Sequence, residues 1–271
     1  MKKLFKRFGK LINHIFLGTT NDLLYQQLVE IQKQNLLSKM GVLENNIFSF
    51  LYNDIIIKFY LPLILTDSLQ QSILDNGFFY ESSLLTKVKD FIPENAIIID
   101  AGGNIGNHSI YFSKFYNAEK IYCFEPQKHI YSILQQNISL NNCSNVKLFN
   151  KALGLKEGFL FFDKMNIGNC GSSSFRNEDN SKTKLGYPVI TIDSLGLGKV
   201  DLIKIDVEGS EYGVLLGAKE LIKNSKPVIW IELNPWTSTN NEVLDFLKIN
   251  SYTLVYKEGY NFIFEKMTIT K

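Results

Sequence analysis

Two acids close consecutive apolar runs: Asp100 ends Ile97-Ile98-Ile99, and Glu125 ends Ile121-Tyr122-Cys123-Phe124. Gly102, Gly103 and Gly106 follow Asp100 directly, and a helical pattern starts behind them. Residues without Cβ let a ligand reach the backbone of a tight turn, at the positive end of the helix that follows. The dinucleotide fingerprint does not fit, because its second glycine would fall on Asn104, and no P-loop lysine motif is present. What stands is Asp-x-Gly-x-x-x-Gly with an acid at the next strand end. Glu125 can accept both hydroxyls of a ribose. Asp100 suits an ammonium group, directly or through water. That pair describes a site for a nucleoside with a cationic far end, and S-adenosylmethionine has this form.

A second constellation follows in Lys204-Ile-Asp206-Val-Glu208-Gly-Ser-Glu211. Strand alternation puts Lys204 and Asp206 on one face, with Glu208 on the turn beyond and Glu211 one turn into a helix. Such a group can bind hydroxyls, hold a divalent cation through water, or deprotonate an acceptor. Alternatively, Glu208 and Glu211 cap and polarise the helix start. His108 lies two residues past the glycine turn, where it faces either the methyl donor or the acceptor, or serves packing alone. If it acts, it is the general base best suited to neutral pH. Glu232-Leu-Asn234-Pro235 ends another apolar run, as part of an acceptor pocket or as a plain polar turn.

The elements that must position these residues alternate. Apolar runs at Ala96–Asp100, Lys120–Glu125, Val146–Asn150, Val200–Asp206 and Val228–Glu232 are interleaved with amphipathic helices near Ile105–Phe115, Lys128–Leu140, Gly209–Ile222 and Asn241–Ile249. This is the pattern of a buried, mostly parallel α/β sheet. Runs at Tyr252–Tyr256 and Tyr260–Glu265 predict a closing antiparallel hairpin. Residues 47–65 predict two strands turning at Asn53-Asp54, and residues 67–91 read as mainly helical. The polar stretch 164–184 reads as a lid or binding segment, or as a simple surface loop.

The blocks Asp100-Ala-Gly-Gly-Asn-Ile-Gly-Asn-His108, Phe124-Glu-Pro126, Asn150-Lys-Ala-Leu-Gly154, Ile203-Lys-Ile-Asp-Val-Glu-Gly-Ser-Glu211 and Trp230-Ile-Glu232 resemble, in order and spacing, FkbM-type methyltransferases. Gly103 departs from the usual alanine, a swap expected to be tolerated because it only removes a methyl group. The resemblance covers residues 78–235 and, more loosely, the remaining C-terminus. It implies a class I, Rossmann-like methyltransferase sheet, S-adenosylmethionine as cofactor, and O-methylation, often of sugars. The cofactor residues it implies are Glu81, Asp100, Gly102, Asn104, Gly106, Glu125, Pro126, Ala152 and Asp206. His108, Asp206 and Glu208 are the candidate catalytic groups, and Lys204, Glu211, Glu232 and Asn234 the acceptor contacts. The acceptor expected is a saccharide, such as a bacterial surface glycan or its precursor. Another small-molecule hydroxyl and a catalytically silent nucleoside-binding module are the alternatives.

The 271 residues are 45% apolar with a net charge of +2, which supports a packed core and argues against a nucleic-acid partner. Three cysteines outside any metal-ligand spacing suit a reducing cytoplasm, and no obligatory metal is expected. No apolar run reaches membrane-spanning length. Leu4, Phe8, Leu11, Ile12 and Ile15 share a helical face opposite lysines and Arg7, so residues 1–17 predict a basic amphipathic helix. It either touches an anionic membrane at its inner face or lies against the domain. A second helix is expected to run to about Met40. Residues 1–66 thus read as an N-terminal extension and 67–271 as the catalytic domain.

Overall fold

The computed structural model describes residues 43, 45–164, 174–176 and 186–267, without the side chains of 162–164 and 174–176. The basic leader, the helix expected up to Met40 and most of the 164–184 stretch lie outside the described residues. The chain divides into two compact units, residues 1–47 and 48–271.

Strands β1 (Ile47–Tyr52) and β2 (Ile55–Tyr60) form a two-stranded sheet. Asn53 and Asp54 turn between them with φ of 45° and 62°, left-handed values that short polar residues tolerate. Two helices follow, α1 (Ser68–Asn76) and α2 (Ser82–Val88). Asp67 caps α1 by accepting the Gln70 N–H at 2.9 Å. The alternation then begins: β3 (Ile97–Ala101), α3 (Asn107–Phe115), β4 (Lys120–Phe124), α4 (Lys128–Leu140) and β5 (Val146–Phe149). After an excursion through β6 (Ala152–Leu153), β7 (Gly158–Lys164), β8 (Ser174–Arg176) and β9 (Gly186–Ile190), it resumes. The second half is β10 (Leu202–Ile205), α5 (Glu211–Leu216), α6 (Lys219–Ser225), β11 (Val228–Glu232), α7 (Asn240–Ile249), β12 (Tyr252–Glu258) and β13 (Asn261–Lys266).

The main sheet has seven strands in the order β12-β13-β11-β10-β3-β4-β5, and β13 runs antiparallel to both its neighbours. β10 is buried at every residue and β3 at all but its first, as their unbroken apolar runs require under helices on both faces. The chain winds outward from β3 to β5, then returns to the far side of β3 as β10. The reversal therefore falls between β3 and β10, and a ligand crevice is expected beyond their carboxyl ends. Register aligns Cys123, Asp100, Lys204, Trp230 and Ile263 across five adjacent strands. Partners in register share a face, so a charged pair sits in the middle of a buried row.

The first two strands brace the glycine turn. Asn137 on α4 and Asn141, its C-cap, accept the Tyr60 and Lys58 N–H groups at 2.6 and 3.0 Å. Asn137 also donates to the Ile105 carbonyl at 2.9 Å, inside the turn itself. Tyr52 meets Phe79, Tyr111 and Phe115 edge to face, which seats β1 on α3.

Three sequence expectations differ from the fold. The single helix expected over Gly209–Ile222 is two, α5 and α6. The chain breaks at Gly217, where a Cβ would overlap the Gly154 carbonyl. The second strand ends at Tyr60, and the following residues turn toward the Asp67 cap. The region around the polar stretch holds a separate four-stranded sheet, β6-β9-β7-β8, with Ala152, Leu160 and Val189 as its small core.

Candidate active site

The site begins at the glycine turn. Gly102 has φ of +86°, and a Cβ there would fall onto the Asp206 carbonyl, so the turn and the end of β10 touch backbone to backbone. At Gly103 a Cβ would overlap the Cys123 sulfur. This sharpens the expectation about the missing alanine: the methyl group's space is filled by Cys123. Gly106 has φ of +95° and faces Leu134 of α4, so it serves helix packing beneath the turn. Asn104 is left-handed, with φ of 47°.

Glu125 lies under this turn. Its carboxyl accepts the Asn104 N–H at 3.2 Å and the Gln127 N–H at 2.8 Å. Burial outweighs those two donors, Asp206 and Asp100 add repulsion, and the carboxyl is pushed up to about 7. Gly102, Glu125, Pro126, Lys151, Ala152, Asp206, Glu208 and others line one cleft. Sequence reasoning assigned six of these seven to the site, and Lys151 falls within the Asn150–Gly154 block of the resemblance. Gln127, Leu153, Leu160, Val207 and Ser210 also line it.

Behind the cleft lies a buried polar cluster. Asp100 is 0% exposed, so it is no surface carboxylate. It accepts the Ser109 hydroxyl at 2.6 Å and faces the Lys204 ammonium at 3.6 Å. Lys204, 2% exposed, also reaches Asp206 at 3.4 Å and lies over the Trp230 ring at 5.9 Å. Burial alone would lower its pKa, but Asp206, Asp100, Glu81 and Glu232 outweigh burial and hold Lys204 charged. For Asp206, burial acts upward, yet Lys204, a hydrogen bond from Glu232 and His108 together keep it below the usual carboxylate range. Glu232 takes the other half of this division. Burial, the Asp206 charge and their shared hydrogen bond push it up to about 9, so it carries the proton of the pair.

His108 begins α3 and closes the cluster from above. Its Nε2 meets Glu81 Oε2 at 3.1 Å. Asn261 donates to Glu81 Oε1 at 2.8 Å, and Trp230 Nε1 donates to Asn261 at 2.7 Å. Trp230 also meets the His108 ring edge to face at 5.1 Å. Sequence reasoning gave no role to Ser109, Trp230 or Asn261. Trp230 stands two residues before Glu232, on the same strand face, and Asn261 interrupts an apolar closing strand. Those were the available signals.

Two expected acceptor contacts also have local structural bonds. Glu211 folds back to accept the Gly209 N–H at 2.8 Å, which holds the loop after β10. Asn234 is buried, and its carbonyl accepts the Thr237 N–H and the Asn240 amide in the turn after β11. Among the described residues, no group of three or more His, Cys, Asp or Glu is arranged to hold a metal ion, and no helix is long and apolar enough to cross a membrane.

This strand order, with a glycine turn at the reversal and an acid ending β4, defines a class I methyltransferase. Residues 100–261 match the methyltransferase FkbM domain. Methyltransferase 1 of Beauveria bassiana is 30% identical over 172 residues, spanning 53% of this chain and 68% of that protein. Methyltransferase sdnD of Sordaria araneosa is 30% identical over 181 residues, spanning 51% and 68%. Among solved structures, the methyltransferase FkbM of Methylobacillus flagellatus KT aligns with a TM-score of 0.47 at 20% identity, over 63% of this chain and 43% of that one. The chain belongs to the methyltransferase FkbM domain family, and it is a methyltransferase.

S-adenosylmethionine is the methyl donor of this class, and the residues present fit it. Glycine brings the Gly102 backbone to the cleft wall, the Glu125 carboxyl is of a kind that can accept from a ribose diol, and apolar Leu153 and Leu160 suit a base. One buried oxygen in the glycine turn, Asn104 Oδ1, lacks a hydrogen-bond partner, as expected where a ligand or its water would donate.

Proposed function

We propose that this methyltransferase acts on a hydroxyl group of a saccharide. The observation that carries the reading is His108, the histidine held by Glu81 beside the Asp206–Glu232 carboxyl pair. A hydroxyl must lose its proton as the methyl arrives, so it needs a base that a thiolate or an activated carbon would not. Bound S-adenosylmethionine would supply an electrophilic methyl on a sulfonium.

Glu125 would hold the ribose hydroxyls and Asn104 would flank them. Pro126, Ala152 and the Gly102 backbone would shape the nucleoside end of the cleft. Asp206 links both halves, because it lines the cleft and also joins the cluster around Lys204. Asp100 would act from beneath, by fixing Lys204. A carboxylate on Nε2 favours the tautomer with its proton there, which leaves His108 Nδ1 to accept the hydroxyl proton. Glu81 is then a positioning residue. Glu208 can accept from a hydroxyl of the acceptor, while the Glu232 proton is held on Asp206. Carboxylate acceptors of this kind favour a polyol over an apolar alcohol. Glu211 holds the loop and has no acceptor role in this reading.

The test is methyl transfer to a panel of neutral glycosides, with S-adenosylhomocysteine release measured for the wild type and for His108→Ala. The reading expects transfer by the wild type and a large loss in the variant. Transfer to an amine, or equal turnover by the variant, would count against it.

A further inference from the structure

Two large aromatic side chains stand in solvent on the turns that follow β11 and β12. Trp236 is 71% exposed and Tyr260 is 47% exposed. Neither contributes to the core. Leaving such surface in water forgoes roughly 25 cal/mol for each Å² that could be buried. The rings meet edge to face, with centroids 6.0 Å apart and planes at 71°. They come from separate turns, one after β11 and one between β12 and β13. The turns are joined by the Leu233 N–H, which donates to the Tyr260 carbonyl at 2.8 Å. Next to that bond, Glu232 and Asn261 pair in register. The aromatic step therefore begins one residue from Asn261, the group that holds Glu81, and four residues from Glu232. Tyr80, the neighbour of Glu81, is also exposed on this side, and Glu81, Glu232, Asp206 and Glu208 all act on its phenol.

We infer that Trp236 and Tyr260 form the acceptor platform, on which the apolar face of a neutral pyranose ring rests while its hydroxyls reach the carboxyl cluster. This rests on the saccharide reading above. Two observations favour a neutral ring. Aromatic faces take the C–H side of a sugar, whereas its hydroxyls need polar partners such as Glu208. The cluster is also rich in acids, since Glu81, Asp206, Glu208 and Asp100 outnumber the buried Lys204. A phosphate or uronate on the reacting ring would meet like charge.

The chain holds only two tryptophans, and Trp230 is 0% exposed, so acrylamide quenching reports on Trp236. The probes are neutral methyl pyranosides, with the matching uronides and sugar phosphates, added to the full chain with S-adenosylhomocysteine bound. The proposal expects at least a twofold drop in the quenching constant with a neutral pyranoside and no drop with the anionic ones. It also expects Trp236→Ala to raise the acceptor KM at least tenfold, with cofactor affinity within twofold of wild type. Trp236→Phe should recover part of that loss. If pyranosides are methylated but quenching and KM ignore Trp236 and Tyr260, the platform is wrong and the saccharide reading stands. If the wild type neither binds nor methylates any pyranoside, both fall together. Tighter binding of the anionic sugars would overturn the charge argument and the platform with it.

Discussion

Glu125 titrates in the range where cofactor binding can be measured, and this makes a quantitative prediction. The carboxyl is buried against the glycine turn and pushed up to about 7. Its ionised fraction therefore falls about tenfold between pH 8 and pH 6. If the ionised form holds the ribose diol, the Kd for S-adenosylhomocysteine should rise by up to about tenfold over the same interval, equivalent to about 1.4 kcal/mol. Stability should move the other way. A carboxyl whose folded pKa is raised contributes stability below its unfolded value and loses it as pH rises through the folded one. The unliganded chain should thus be weakened by up to about 3 kcal/mol between pH 5 and pH 8. Opposite slopes for binding and stability are the signature. Glu125→Gln should flatten the binding profile and reduce the stability slope, the remainder of which belongs to Glu232. It should also raise the Kd at pH 8 by about 10- to 150-fold, as expected for losing a hydrogen bond to a charged group. Isothermal titration calorimetry and thermal unfolding at each pH would provide both curves. A wild-type binding profile that is flat from pH 6 to 8, or one that the variant reproduces, would refute the reasoning.

Further expectations concern the turn, the base and the buried lysine. Gly102→Ala combines a left-handed φ with overlap on the Asp206 carbonyl, so it should lose about 2–5 kcal/mol and cofactor binding together; a variant that binds normally would remove the close-approach argument. Gly103→Ala should cost about 1–3 kcal/mol in a melting experiment, and adding Cys123→Ala should restore at least half, whereas additive losses would show that the sulfur is not the obstacle. His108→Ala should reduce turnover by about 10²- to 10⁴-fold with cofactor affinity kept, and Glu81→Gln should lower kcat more than it changes acceptor KM; unchanged turnover in the first would exclude the histidine as base. Lys204→Met leaves Asp100 and Asp206 without their shared cation and should destabilise by about 3–5 kcal/mol, which denaturant unfolding would detect.

The sheet was legible because its strands are buried on both faces and read as short apolar runs, each closed by a polar residue. The glycine turn was legible for a related reason: a missing Cβ records a close approach in the sequence itself. Roles depending on side-chain direction were harder to read. Asp100 looks like a ligand-facing acid in the sequence, yet it lies under the sheet surface because register sets it beside Lys204. Glu211 and Asp206 look equivalent, but one caps a loop and the other joins the cluster. Asn261 and Trp230 come together only through the antiparallel pairing of β13 with β11, and no local pattern reports a pairing 31 residues apart. The small sheet β6-β9-β7-β8 was missed because its strands are short and border a polar stretch that resembles a loop.

The most direct test supplies methyl-¹³C S-adenosylmethionine with neutral pyranosides and follows the label by NMR. The account predicts an O-methyl ether signal that grows one for one with S-adenosylhomocysteine and collapses in His108→Ala. A label that ends on nitrogen or carbon, or donor turnover with no ether formed, would contradict it.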